Sequence, residues 1–277
     1  GYISYVKGDN PFIFPYRILP ELFDNSKSIK SSSFTYPKKG ISQNDLDSTA
    51  KIEIFDIYLN ELSEYQEKVY KYIINKLELP KEQELYKYTV LMKPLEALNI
   101  VFPNKQLDEF DSSTDNIKSL SITSDLLVGK NALSKLMTYS EYNDKSLSYR
   151  YNYKFIDKSQ ENIFLRKNIK KYSAKIDNIL KTIENSKGPI IIYSQFINSG
   201  LIPIALALEG YGFKRFGSIP SLFENPNSEE LDINTYKPKS EVIAENKSFK
   251  CAKYIMITGD KTLSFNKKKE LDACNTL

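Results

Sequence analysis

The stretch GPIIIYSQFINSGLIPIALALEGYG, Gly188–Gly212, combines two patterns that decide the fold. Its first part, Pro189–Tyr193, is an unbroken apolar run, which is typical of a strand covered on both faces. The polar pair Ser194 and Gln195 follows this run. A second apolar run then keeps helical spacing, and its Pro203 is tolerated only in the first turn of that helix. A buried strand that leads directly into a helix predicts an α/β fold with a parallel sheet.

The neighbouring segments continue this alternation of helix and strand. Apolar residues recur at helical spacing over 172–186, which predicts a helix there. A short strand is expected at 213–217, and KYIMITGD, Lys253–Asp260, is predicted to be a second buried strand that ends in a polar turn. We expect the strands at 189–193 and 254–258 to be parallel neighbours in one sheet, both almost wholly buried.

The chain divides into three predicted parts. Residues 1–50 contain several prolines, each of which disfavours helix at the preceding residue, and they are predicted to be an extended connector. Residues 51–160 are predicted to be a largely helical region. Residues 161–277 carry the α/β pattern, with an insertion at about 218–250 that has few apolar residues and is expected to lie on the surface.

Within the middle part, three local signals are specific. KIEIFDIYL, residues 51–59, alternates apolar and polar side chains as a strand does. Ser63 and Gln66 are spaced as in a capping box, so a helix is expected to begin after Ser63. GKNALSKLMTYSEY, residues 129–142, is predicted to be a short helix and its exit.

Composition restricts the possible chemistry. The 277 residues are 41% hydrophobic and carry a net charge of +4, which is typical of a globular protein and too mild to identify a polyanionic partner. The chain has no histidine, which excludes Ser-His-Asp catalysis and histidine-ligated metals. Cys251 and Cys274 lack CxxC spacing, so a reducing compartment is expected and no metal site is predicted. No apolar run reaches the roughly 18–20 residues of a membrane helix.

Polar residues follow both predicted strands of the last part. In open parallel sheets, ligands bind beyond the carboxyl ends of the strands. Hydroxyl, amide and backbone N–H groups at such an edge bind phosphate oxygens, so we predict that these residues cluster and contact a nucleic-acid backbone. The same spacing fits an alternative in which Ser194 and Gln195 only cap the next helix. The candidate nucleic-acid-binding residues are Ser194, Gln195, Thr258, Gly259, Asp260 and Lys261.

Basic residues are concentrated close to these positions. Between residues 161 and 187, the positive side chains are Arg166, Lys167, Lys170, Lys171, Lys175, Lys181 and Lys187, against Glu161, Asp177 and Glu184. Further lysines stand at 261 and 267–269. A surface that follows a nucleic-acid backbone uses such residues. The alternative is an ordinary solvated lysine face.

Several stretches, in order, resemble one family. IIIYSQFINSGLIPIALALEGYGFKRF, residues 190–216, resembles motif IV in the second RecA-like domain of superfamily 2 helicases, within the group of large nucleocytoplasmic DNA viruses that includes the poxvirus transcription ATPases and their giant-virus relatives. YIMITGDKTLSFNKKKELDACN, residues 254–275, resembles the adjoining motif IVa. Residues 1–20 and 62–73 resemble the connector that leaves the first motor domain and the segment after it. The resemblance covers most of the chain.

The resemblance implies a RecA-like parallel sheet flanked by helices, in a fragment of a nucleic-acid-dependent ATPase. It also implies DNA or RNA as the track, a preceding RecA-like domain of the same polypeptide as a partner, and a role in viral transcription beside a viral RNA polymerase. The expected location is then the virion or the cytoplasmic viral factory. Because the sequence begins with Gly1 rather than methionine, we expect it to be part of a longer chain.

The sequence also departs from the family. A phosphate loop requires GxxxxGK[ST], and its nearest approach, Gly212–Ile219, has Ser218 where the lysine belongs. There is no DExH box, and the family's arginine motifs would lie further downstream. We therefore expect ATP and Mg²⁺ to belong to the parent protein, and this chain alone to have no catalytic residue and no ATPase activity. The open alternatives are a non-enzymatic nucleic-acid-binding transcription-factor module and, with least support, a small α/β metabolic enzyme.

Overall fold

The computed structural model describes residues 60–77, 88–109, 120–144, 147–186, 188–217, 221–224, 228–260, 263–264, 268 and 272; for 88–90, 140–144 and 147–152 only the backbone is described. From Glu61 onward these residues belong to one compact unit. The predicted connector at 1–50, the predicted strand at 51–59, and Lys187 and Lys261 lie outside the described residues. No described helix combines the length and the apolar character needed to cross a bilayer.

Four helices form the first half of this unit: α1 (Glu64–Lys76), α2 (Tyr88–Asn99), α3 (Lys105–Asp108) and α4 (Gly129–Leu136). The predicted start of α1 is confirmed, because the Ser63 hydroxyl accepts a hydrogen bond from the Gln66 N–H at 3.0 Å. Gln66 does not complete the capping box. Its buried amide instead donates to the Ala97 carbonyl at 2.8 Å and accepts from the Ala174 N–H at 3.1 Å.

A β-hairpin follows α4 without a break. Strands β1 (Met137–Asp144) and β2 (Leu147–Phe155) are antiparallel, with Met137 opposite Phe155. The region predicted as largely helical therefore also contains a sheet. The sequence signal for β2 is the recurrence of tyrosine at every second position, Tyr149, Tyr151 and Tyr153, which is the period of a strand.

The helices of the last third lie close to their predicted positions. Helices α5 (Ile169–Tyr172) and α6 (Ala174–Glu184) replace the single helix predicted at 172–186. They separate at Ser173, whose hydroxyl caps α6 by accepting from the Ile176 N–H at 3.0 Å. Helix α7 (Ile202–Tyr211) is buried almost all round, and Pro203 lies in its first turn as predicted. A π-helical turn, Ile197–Leu201, precedes it.

A short parallel pair completes the fold. Strands β3 (Lys214–Arg215) and β4 (Lys253–Tyr254) pair with Lys214 opposite Lys253, and helix α8 (Lys239–Ala244) lies between them in the chain. The expected strand at 213–217 is thus confirmed over two residues. The described unit mixes helices with two small sheets, each of two strands.

The predicted strand at 189–193 is wrong. These residues form neither helix nor strand, and Ile191 and Tyr193 are 95% and 73% exposed. Only Ile192 packs against the core from the centre of the run. An apolar run indicates a tendency to form a strand, but a strand also needs a neighbour for its backbone groups. The second predicted strand is confirmed only at Lys253–Tyr254, and Ile257 is 40% exposed rather than buried.

The insertion at 218–250 is not simply a surface excursion. Leu222, Leu231 and Val242 are buried, and the Leu231 backbone links the end of α7 to β4. Its N–H donates to the Gly212 carbonyl at 3.0 Å, and its carbonyl accepts from the Ala252 N–H at 2.8 Å. Gly212 makes the turn possible with a left-handed φ of 118°. A few apolar residues are therefore enough to fix the insertion on the core.

Candidate nucleic-acid interface

The polar turn predicted after the second strand is present at Thr258–Asp260. The Thr258 hydroxyl accepts from the Asp260 N–H and contacts the Asp260 carbonyl, both at 3.1 Å. That carbonyl in turn accepts from the N–H groups of Leu263 and Ser264. Gly259 is exposed at the tip, and a Cβ atom added there would meet no atom of the described residues within 4 Å, its two chain neighbours aside. The turn is thus rigid inside and open to a ligand at Gly259.

Two buried side chains form hydrogen bonds with this turn and with the residues next to it. The Ser264 hydroxyl accepts from the Thr258 N–H at 2.8 Å and donates to the Met256 carbonyl at 2.6 Å. Arg215, which is 9% exposed, donates through Nη2 to the Leu263 carbonyl. Within the described residues, the Nε atom of Arg215 is the buried side-chain nitrogen that has no hydrogen-bond partner. Leu263, which follows the Thr258–Asp260 turn, is therefore held to β3 by a buried guanidinium.

A buried carboxylate lies next to this arginine. Glu209 on α7 accepts from the Leu222 N–H at 2.7 Å, the Phe223 N–H at 2.9 Å and the Tyr254 hydroxyl at 2.7 Å. Burial raises the pKa of Glu209, although these three donors and the charge of Arg215 favour its ionised form. Burial also raises the pKa of the Tyr254 hydroxyl well above its ordinary value. This polar group joins α7, the insertion and β4.

Ser194 makes only local contacts among the bonds described for it. Its hydroxyl accepts from the Phe196 N–H at 3.1 Å, which forms a serine turn just before the π-helical turn. Gly200 lies against this hydroxyl, because a Cβ atom added to Gly200 would be 2.2 Å from Ser194 Oγ. Ser194 does not cap the next helix as the alternative expected, because Phe196 is the N-cap of the π-helical turn and Leu201 is the N-cap of α7, and neither position has a side-chain cap hydrogen bond. Gln195 is exposed.

The five candidate residues that the structure describes thus fall in two segments, 194–195 and 258–260. The contacts of Ser194 run to Phe196 and Gly200, whereas those of Thr258 run to Asp260 and Ser264. Lys261 lies outside the described residues. The prediction that the two segments meet at one edge, and that phosphates pass there, stays a prediction.

Several of the basic residues predicted to form a surface bond other side chains of the protein. Arg166 bonds Asp177 at 2.6 Å and Glu184 at 2.8 Å, and Lys181 also pairs with Asp177 at 2.7 Å. Lys175 donates to Asn99 Oδ1 at 2.7 Å, and burial lowers the pKa of its ammonium group.

Lys171 lies 4.9 Å from the ring centroid of Tyr65, in a cation–π contact. The neighbouring Lys167 and Lys170 are exposed, and they remain candidates for contact with a polyanion.

The two buried charged residues Glu209 and Arg215 were not predicted from the sequence. A signal for it exists, because no charged residue occurs from Gly188 to Leu208, so Glu209 is a lone charge at the end of an apolar helix. A buried carboxylate requires donors or a cation, and Arg215 is the nearest arginine along the chain. The described residues contain no group of three or more histidine, cysteine or acidic side chains that could hold a metal ion.

Comparison of the chain with known protein families, with curated proteins and with solved structures finds no match in any of the three. Function is therefore inferred from the sequence and from the geometry of the turn.

Proposed function

We propose that this chain is part of a viral nucleic-acid-dependent ATPase or helicase. In this proposal it supplies the first half of a second, RecA-like motor domain, which contacts the nucleic-acid backbone and helps to close the ATP cleft, and the parent protein serves viral transcription. The proposal rests first on the ordered resemblance of its segments to that group. The parallel pair of β3 and β4, with α8 between them in the chain, is compatible with it.

The observation that carries the proposal is the Thr258–Asp260 turn. It follows the end of a parallel strand, where α/β folds bind their ligands. Its interior hydrogen bonds fix the backbone, and the open position at Gly259 leaves space for a phosphate to approach. A lysine, Lys261, comes next in the sequence. Backbone N–H groups, a hydroxyl and a nearby cation are the donors that position nucleic-acid phosphates.

We predict weak, salt-sensitive binding of single-stranded nucleic acid by this chain. Lys261→Glu is expected to weaken binding and to lower the slope of log K against log salt by about 0.7, the value for one phosphate contact on a single strand. Fluorescence anisotropy with labelled DNA and RNA oligomers, titrated at several salt concentrations, measures both quantities. Lys158→Glu, a charge reversal at an exposed lysine elsewhere in the chain, is the matched control.

A steric variant tests the same turn without changing charge. Gly259→Val adds a side chain where, apart from the two chain neighbours, no atom of the described residues lies within 4 Å, so the melting temperature is expected to stay unchanged. Binding should weaken because the branched side chain occupies the open face of the turn. If Gly259→Val and Lys261→Glu both leave affinity and salt slope unchanged, the nucleic-acid track does not pass this turn.

We also predict that this chain hydrolyses no ATP by itself, although its parent does. Phosphoryl transfer needs a phosphate cradle, a Mg²⁺ ligand and a cation on the developing charge. The sequence has no GxxxxGK[ST] and no DExH box. Loss of an arginine finger alone lowers the rate on the order of 10³–10⁵-fold. Phosphate release, measured with and without single-stranded nucleic acid, should therefore stay at background, and stimulated release would contradict the proposal.

The same lack of a phosphate loop favours one second candidate, a non-enzymatic nucleic-acid-binding module. The sequence and the ATPase activity of the full-length parent protein distinguish these two candidate functions. An uncut gene that encodes a phosphate loop and a DExH box before residue 1, and whose product hydrolyses ATP, supports the motor. A parent that binds nucleic acid and releases no phosphate supports the binding module.

A further inference from the structure

The outer face of the parallel pair β3–β4 carries lysines beside a phenylalanine ring. Lys214 and Phe216 are two residues apart along the first strand, so their side chains project to the same side. Lys253 lies opposite Lys214 in the register and is exposed. The intervening Arg215 and the neighbouring Ala252 are buried and mark the opposite, core-facing side.

A shared carboxylate connects helix α8 to this outer face. Glu230 lies 3.9 Å from the Lys214 ammonium group and 3.2 Å from that of Lys239, the first residue of α8. Burial raises the pKa of the Cys251 thiol just before β4, and the charges that also act on this thiol are one carboxylate, Glu230, and three ammonium groups, Lys253, Lys214 and Lys239. The outer face therefore has an excess of positive charge around Cys251.

Two of these lysines lie over aromatic rings. Lys253 Nζ is 5.9 Å from the ring centroid of Phe216, and Lys239 Nζ is 5.4 Å from that of Phe249. Both contacts are cation–π interactions. Both phenylalanines are half-buried, so part of each ring stays accessible at the surface. A cation and an aromatic face are thus available together at two places.

We propose that this outer face binds single-stranded nucleic acid, with phosphates at the lysines and bases stacked on Phe216 and Phe249. Proteins that bind single strands without sequence preference combine a positively charged surface along the backbone with aromatic side chains on which bases stack. This contact extends the proposed function, on which it rests, by adding base stacking to the phosphate contacts of the Thr258–Asp260 turn.

The phenylalanines favour nucleic acid over an acidic peptide as the ligand. Lysines alone suit either kind of polyanion, because both carry repeated negative charges. Every nucleobase has a flat π-face that stacks on an aromatic ring. Aspartate and glutamate side chains have no such face, so an acidic peptide would use the lysines and leave the rings of Phe216 and Phe249 without a partner.

The Cys251 thiol reports whether the outer face is occupied. Cys251 is partly exposed, and it is two residues from Lys253 along the chain. In a Cys274→Ser background, saturation with single-stranded oligothymidylate is expected to slow alkylation of Cys251 by N-ethylmaleimide severalfold. Oligoglutamate of equal charge should protect the thiol less. Absence of protection by oligothymidylate overturns the proposal, and equal protection by oligoglutamate assigns the face to acidic proteins instead.

Substitution of the rings tests stacking without a change of charge. Phe216→Ala is expected to weaken oligothymidylate binding about five- to 150-fold, the usual effect of removing one stacking ring, and to leave the salt slope unchanged. Phe216→Tyr keeps the ring and should keep the affinity. Phe249→Ala tests the second ring, including the case in which Phe216→Ala does not fold. Tyr139→Ala, at a 46% exposed aromatic residue on β1, is the matched control and should bind as the wild type does.

Substitution of a lysine tests the phosphate contacts on the same face. Lys253→Glu should weaken binding and lower the slope of log K against log salt by about 0.7. Lys158→Glu is again the control for charge, and fluorescence anisotropy measures both quantities.

Comparison with variants of the Thr258–Asp260 turn separates this contact from the proposed function. If Gly259→Val and Lys261→Glu weaken binding but the variants of the outer face do not, the proposed function stands and the outer face has no part in it. A chain that binds no single strand at all overturns both. Weakening by the ring variants, with affinity kept in the tyrosine variant, supports stacking on the outer face.

Discussion

Two buried carboxylates, Asp232 and Glu209, have pKa values shifted in opposite directions. Asp232 accepts hydrogen bonds from the Lys250 and Thr235 N–H groups at 2.8 and 2.9 Å, and these and further donors lower its pKa. Glu209 also accepts several hydrogen bonds, but burial dominates and raises its pKa. The protein thus stabilises the charged form of Asp232, whereas burial disfavours the charged form of Glu209. The two groups should give opposite pH dependence of stability.

Asp232→Asn is expected to lower the free energy of unfolding at pH 7 by about 1–3 kcal/mol, the usual cost of unpaired buried donors. A lowered pKa gives stability that is present above the ordinary value of 3.8 and is lost as pH falls through the folded value. The difference in free energy of unfolding between wild type and Asp232→Asn should therefore shrink as the pH is lowered. Urea unfolding followed by circular dichroism from pH 2.5 to 7 measures it.

Glu209→Gln is the control of opposite sign in that series. A raised carboxyl pKa means that stability falls as pH rises from the ordinary value of 4.5 through the folded value. Glu209→Gln removes this decline. The difference in free energy of unfolding between wild type and Glu209→Gln should therefore shrink as pH rises from 4.5 through the folded pKa. Parallel pH profiles for the two variants would contradict the opposite shifts.

At the scale of elements, local signals predict helices better than sheets. The start of α1 and the place of Pro203 in α7 follow from caps and spacing, which act within one or two turns of the chain. Strand formation at 189–193 depends on pairing with a strand elsewhere in the chain. The local sequence of the run does not show whether such a partner strand is present. The β1–β2 hairpin was missed although its partners are close in sequence, because its alternating residues are tyrosines rather than aliphatic residues.

The segment before α5 is attached to α6 by one arginine. Arg166 bonds the buried Asp177 through Nη1 and Glu184 through Nε, and it lies over the ring of Tyr211 at 5.7 Å. The hydrogen bonds to both carboxylates raise the pKa of its guanidinium. This residue was predicted as part of a nucleic-acid surface, but its donors face the protein.

Arg166→Met is expected to lower the free energy of unfolding by about 1–3 kcal/mol, because it leaves charge-assisted hydrogen bonds unmade at a buried carboxylate. Oligonucleotide affinity should change little. Lys167→Met, at the exposed neighbour, is the matched control and should change stability by no more than about 0.5 kcal/mol. Thermal unfolding and anisotropy on the same samples compare the two. If Arg166→Met instead lost oligonucleotide affinity and kept its stability, Arg166 would be assigned to nucleic-acid contact after all.

For the whole molecule, the sequence predicted the polar turn but not what supports it. Thr258, Gly259 and Asp260 are adjacent in the chain, so their pattern is visible in one line of sequence. Arg215 and Glu209 reach that region only through the packing of α7 against β3 and β4, which is a long-range property. The basic residues between 161 and 187 divide for the same reason, since Arg166 and Lys175 bond partners on other elements, whereas Lys167 and Lys170 are exposed.

Two clusters of buried residues form the core, and they meet where α5 joins α6. The first involves α4, the hairpin, α6 and α7, and the second involves α1, α2 and α3. Tyr172 packs against both clusters. The Ser173 hydroxyl donates to the Asn99 carbonyl at 2.5 Å, and the fully buried amide of Gln66 joins Ala97 to Ala174. Such polar bridges should make the two clusters unfold together.

Gln66→Leu keeps a side chain of similar size and removes both bridging hydrogen bonds. The Ala97 carbonyl and the Ala174 N–H are then unpaired in the interior, at a cost of about 1–3 kcal/mol for each. Because the bridge joins the clusters, amide hydrogen exchange should accelerate in α1 and in α7 alike. Exchange measured by mass spectrometry resolves the two helices, with Gln106→Leu, an exposed glutamine on α3, as the control. Faster exchange confined to α1 and α2 would mean that the two clusters unfold independently and that Gln66 stabilises only its own half.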